Sequence, residues 1–116
     1  MDVLWVPNDN KIVNAELLRS VWIPFARKFQ KPIIVGVEVL VSPGFQFGTF
    51  GVIPDHINLG AQAAGTVFDV RKNGWQVGGR KLEPPHSVYK IINYGQAVRL
   101  FKVDKDKLLN VVDKIL

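Results

Sequence analysis

Leu17, Leu18, Val21, Trp22, Phe25 and Phe29 recur every three or four residues, the spacing that puts side chains on one face of a helix. Asn14 stands where its side chain can cap the first turn, and Glu16 lies within that turn, where the helix dipole favours an acid. Arg19, Arg27 and Lys28 fall on the polar side. Pro24 lies inside the pattern, where it removes a backbone donor, so a kink or break is expected there. Upstream, Val3 to Val6 reads as a short strand or arm that ends at Pro7 and the turn Asn8-Asp9-Asn10.

Ile33 to Val41 is apolar and largely β-branched, interrupted only by Gly36 and Glu38, which predicts a strand covered on both faces at the centre of a sheet. Ser42-Pro43-Gly44 turns the chain. Phe45, Phe47 and Phe50 then alternate with glycines, as in a bulged strand or aromatic loop. Thr66 to Val70 reads as a short strand, and Gly74, Gly78 and Gly79 mark a turn-rich stretch ending at Pro84-Pro85. Val88 to Ile92 predicts a strand that a Tyr94-Gly95-Gln96 turn returns as Ala97 to Val103, forming a hairpin. Leu108, Val111, Val112, Ile115 and Leu116 keep the helical period and predict a closing helix over 106–116. The fold class is therefore α+β: a single domain, 1–116, with a small, mostly antiparallel sheet packed by an N-terminal and a C-terminal helix.

Composition changes this picture little. At 116 residues and 47% hydrophobic, the chain can form one core without disulfides or a structural metal. It has no cysteine, which excludes thiolate nucleophiles and cysteine-based zinc sites and leaves the compartment open. Its longest apolar run falls far short of the about 20 residues a membrane helix requires, so no membrane span is expected. Asp2 and the lack of a long apolar region behind it predict no cleaved export signal. The net charge of +5 is dispersed, without a basic block, so a nucleic-acid-binding module is the weakest functional class.

One segment carries candidate chemistry. A helix, a Lys31-Pro32-Ile33-Ile34 strand and a Ser42-Pro43 turn precede Gly60-Ala-Gln-Ala-Ala-Gly-Thr-Val-Phe-Asp-Val70. That order resembles the zinc D-alanyl-D-alanine carboxypeptidase and endolysin family of peptidoglycan peptidases. The family signature, S-x-H-x-x-G-x-A-x-D-[IV], supplies a His and an Asp to zinc, and a late aromatic-x-H-[VI]-D strand supplies the third ligand. Here Gly65, Asp69 and Val70 match, whereas Gln62 takes the place of the first histidine. In Leu100 to Asp104 the pattern returns with Lys102 at the last ligand, and Arg99 lies where the family places its catalytic acid. A fixed cation repels zinc.

The resemblance implies the D-Ala-D-Ala carboxypeptidase fold with a vacated site at Gln62, Asp69 and Lys102, in which Lys102 pairs with Asp69, and no cofactor. The function it implies is a non-catalytic structural or attachment component, plausibly virion-associated in a bacteriophage, with protein partners or self-association and contact to peptidoglycan. The alternative is an active cell-wall peptidase whose zinc has shifted to His56, Asp69 and His86, the last two being separated by a turn-rich loop. Phe45, Phe47, Phe50 and Trp75 form a candidate interaction surface, since exposed aromatics stack on bases or sugars or line subunit contacts. Other matches are weaker. Pro54-Asp55 with Asp69-Val70-Arg71 fits a turn better than a nuclease site, Gly60-x-x-x-x-Gly65 lacks the following Gly-Lys-Ser, and no serine sits in a nucleophile elbow.

Overall fold

The computed structural model describes all 116 residues as a small α+β domain with a five-stranded sheet in the order β1-β2-β3-β4-β5. The strands are β1 (Leu4–Val6), β2 (Ile33–Val35), β3 (Phe50–Pro54), β4 (Val88–Ile92) and β5 (Lys114–Ile115). The pairs β1–β2, β2–β3 and β4–β5 all run parallel, with Leu4 opposite Ile33, Ile34 opposite Phe50 and Ile91 opposite Lys114. This corrects the mostly antiparallel expectation. Parallel neighbours need crossover connections, and the helical segments between β1 and β2 and between β4 and β5 supply them. No helix is long and apolar enough to cross a membrane.

The chain divides into two compact units, Met1–Ile53 with Tyr89–Leu116, and Pro54–Val88. In the first, Asn14 caps α1 (Ala15–Leu17) by accepting from the Leu17 N–H, as its sequence position predicts. The helix then widens into a π turn over Leu18–Trp22, where the Ile23 N–H reaches back five residues to the Leu18 carbonyl. α2 (Ile23–Phe29) follows with Pro24 in its first turn. A proline there needs no amide partner, so the wider turn takes the place of the expected break.

The apolar run from Ile33 remains buried but does not remain extended. After Gly36 it tightens into a 3-10 turn, Glu38–Val41, that directs Leu40 and Val41 into the core. Gly48 explains why the chain can return so closely: its N–H donates to the Leu40 carbonyl at 2.8 Å. A Cβ on Gly48 would lie 2.7 Å from that same oxygen. Val6, Ile33, Val35, Leu40, Val41 and Phe47 form the main core, with Trp22 packed against it at 6.2 Å from Phe47 ring to ring.

Two further expectations fail, the hairpin because a capping side chain outcompetes the strand reading and the closing helix because the chain leaves it for the sheet. Asn93 accepts from the Gln96 N–H at 3.0 Å and starts α4 (Tyr94–Phe101) where a hairpin was expected. Its amide donates to the Val41 carbonyl at 2.9 Å, and its N–H donates to the Thr49 carbonyl, so this buried residue ties α4 to the sheet. Asp104 caps α5 (Lys105–Leu108), which ends early, and the chain re-enters the sheet as β5 in place of the predicted closing helix. Ile92, Ala97 and Leu108 make the second, smaller core there.

The second unit is dominated by α3 (His56–Lys72), seventeen residues long, within which the predicted Thr66 to Val70 strand is helical throughout. Asp55 caps it by accepting from the Ile57 and Asn58 N–H groups. No residue of α3 is buried.

Candidate functional site

Gln62 and Asp69 lie on α3, and neither is arranged as a metal ligand. The Gln62 amide bridges the loop that follows the helix, donating to the Pro84 carbonyl and accepting from the His86 N–H, both at 3.1 Å. Asp69 pairs with Arg80 at 3.1 Å on the solvent-exposed surface, so its cation is not Lys102. Lys102 belongs to the other unit, where its left-handed backbone ends α4 and its N–H donates to the Val98 carbonyl. The relocated metal site does not form either. His56 is the exposed first residue of α3, His86 lies 3.6 Å from Glu83, and no group of three or more His, Asp or Glu side chains gathers to hold a metal.

The aromatic set also separates by burial. Phe47 is a core residue, Phe45 packs against that core and Phe50 against the smaller one. Trp75, in the other unit, is 66% exposed in a turn it enters at φ +63°. The three phenylalanines therefore serve packing, and Trp75 alone of the four presents its ring to solvent.

A different place in the first unit has the form of a binding site. β1 and β2 are parallel neighbours, and the loops leaving their carboxyl ends frame a cleft of about 610 Å³. That volume falls in the roughly 300–1,000 Å³ range of small-molecule sites. Its rim is the loop after β1. There the Asp9 carbonyl accepts from the Ile12 and Val13 N–H groups, and the Trp22 indole N–H donates to the Ile12 carbonyl at 2.6 Å. Asn8 and Val37, each two residues past a strand end, line its mouth. Leu18, Ile23, Val39, Leu40 and Phe45 form apolar walls.

Arg19 and Arg27 line the same cleft. With Ala15 and Ile23 they repeat every fourth residue, so one stripe of the helical segment faces it. The protein's three ion pairs join Arg80 to Asp69, His86 to Glu83 and Lys114 to Glu38, and none uses either arginine. Both are exposed, as the polar side of the sequence pattern predicts, and the pattern does not announce the cleft they line. The available signal was Ile23, an apolar residue standing between them at the same spacing, off the predicted core face.

No family model and no curated relative matches the chain. Among solved structures, the chain is similar to a crystal structure of an ABC domain in complex with L-Trp from Streptococcus pneumonia, with a TM-score of 0.58 and 22% identity. The likeness covers 99% of this chain and 38% of that one, so this chain spans about two-fifths of the length of the solved chain. At that identity the likeness concerns the fold.

Proposed function

We propose that the chain is one lobe of a small-solute-binding protein, with its ligand site in the cleft beside the carboxyl ends of β1 and β2. The observation that carries this reading is the position of the cleft. In open sheets with parallel strands, ligands bind outside the carboxyl ends of the strands, because loops and helix starts converge there with free backbone and side-chain groups. The fold's likeness to part of a larger protein that was crystallised with an amino acid supports the same class. On this reading the exposed α3 unit is the surface on which a complementary body packs. Ile57, Val67 and Phe68 stand 84, 53 and 59% exposed along that helix, an apolar load for which a lone surface helix has no use.

Titration of the isotopically labelled chain with a panel of amino acids and small organic acids tests the proposal. Amide shifts concentrated at Asn8, Val13, Val37 and Phe45 are expected. Shifts absent from all four for every solute would defeat it. The alternatives, a non-catalytic peptidoglycan-peptidase-like virion component and a zinc peptidase, make other demands. They require retention on purified peptidoglycan and stoichiometric zinc, respectively, and the same preparation can be assayed for both. The partners of Gln62 and Asp69 favour neither, because both side chains are committed to holding the loop after α3.

A further inference from the structure

We infer that the cleft selects an apolar carboxylate that lacks an ammonium group, held through Arg19 and Arg27, and this inference rests on the solute-binding reading of the same site. The lining contains two guanidinium groups and no carboxylate. An anion entering the cleft therefore meets uncompensated positive charge, and a cation meets the same charge as repulsion. No side chain of the lining can neutralise a ligand's ammonium, because its remaining polar side chains, Asn8 and Asn14, are uncharged amides. The Asn14 side-chain oxygen accepts from the Leu17 N–H, and its amide donates to the Asn10 carbonyl. Asp9, on the loop after β1, accepts from the Lys11 N–H and does not line the cleft.

Between the arginines, Ile23 with Val39, Leu40 and Phe45 offers a surface for a ring or branched alkyl body. The eight residues separating Arg19 from Arg27 correspond to about 12 Å of helix rise. A single carboxylate thus engages one guanidinium, bidentately where geometry allows, while the other raises the local potential. Arginine suits this role because its charge is permanent and its fork matches a carboxylate.

Three ligands with one indole ring and different charge separate the possibilities: indole-3-acetate, L-tryptophan and tryptamine. Each is titrated into the 116-residue chain, followed by amide shifts at Val39, Leu40 and Phe45. Indole-3-acetate is expected to bind at least tenfold more tightly than tryptamine, with L-tryptophan between them. The double variant Arg19→Gln/Arg27→Gln is expected to lose about tenfold for indole-3-acetate and to gain affinity for tryptamine, whose repulsion it removes. Both side chains are exposed, so an unchanged thermal midpoint will show that the variant is folded. L-tryptophan or tryptamine binding as tightly as the acetate overturns the inference and leaves the solute-binding reading standing. So does unchanged acetate affinity in the double variant. Absence of shifts with all three overturns the inference, and the wider solute panel then decides separately whether the cleft binds anything.

Discussion

Unit Met1–Ile53 with Tyr89–Leu116 and unit Pro54–Val88 solve the same problem in opposite ways. The first builds an interior: Phe47, Ile33, Val6, Val35 and Val41 are almost fully buried, and even its buried Thr49 and Asn93 are hydrogen-bonded. The second buries only Asp55, a helix cap, while Trp75, Val77 and Leu82 join the α3 side chains in facing water. A chain segment that orders seventeen helical residues without burying an apolar one gains little from tertiary packing. The difference teaches which unit holds the fold and which presents a surface.

The sharpest way to break this comparison is to truncate one large side chain in each unit. Phe47→Ala removes a fully buried ring and is expected to cost about 3–5 kcal/mol, read from the denaturant midpoint. Phe68→Ala, on the exposed face of α3, is expected to change the same midpoint by less than about 0.5 kcal/mol. Equal losses would mean that α3 is covered within this chain and would remove the basis for a complementary body. Gly48→Ala comes next. Its methyl would press on the Leu40 carbonyl at 2.7 Å and on Val35 at 3.0 Å, both on rigid core segments. A loss of about 1–3 kcal/mol is expected by equilibrium unfolding, as for an overpacked core.

How much of this was legible in the sequence follows the same division. The Asn14 cap, the β1 and β4 strands and the apolar run from Ile33 were readable because each is a local signal, a side chain acting on its own neighbourhood. Strand direction was not readable, because it depends on how far the connecting segments travel. Tyr94-Gly95-Gln96 looked like a turn, yet the deciding residue was Asn93, whose amide is fixed from 52 positions away by Val41. Leu108, Val112 and Ile115 did reach one core, as their spacing required, but a short helix and a strand carry them there. At the candidate site, the spacing marks Gln62, Asp69 and Lys102 as former zinc-ligand positions, with Lys102 paired to Asp69. Gln62 and Asp69 instead hold the following loop through Pro84, His86 and Arg80, a role that their spacing does not announce. The cleft itself escaped notice because charged residues on a helix are ordinarily solvated, and only the fold brings Arg19 and Arg27 opposite Val39 and Phe45.

Asn93→Ala probes the junction between the two cores of the first unit. It leaves the Val41 carbonyl without its side-chain donor and α4 without its cap, so a loss of about 1–3 kcal/mol is expected, with α4 amides exchanging faster than those of β1 and β2. Gln62→Leu should have a smaller, local effect. The loop around Pro84 and His86 loses two hydrogen bonds that are exposed to solvent, so its amides should gain exchange while the global midpoint moves by less than about 1 kcal/mol. A large global loss instead would assign the second unit a share in the stability of the whole chain.

The smallest expected effect has the opposite sign. Gly60 and Gly65 lie in α3 with open space around the position a Cβ would take. Glycine inside a helix costs about 0.5–1 kcal/mol relative to alanine. Gly60→Ala and Gly65→Ala should therefore each slow amide exchange in α3 of the isolated chain. If the proposed complementary body packs closely on that face, the same methyl groups should weaken its association, since a gain in helix propensity does not compensate for a steric clash at the contact. Stabilised helix with unweakened association would place the docking face away from Gly60, and so away from Ile57, Val67 and Phe68, which share its side of the helix.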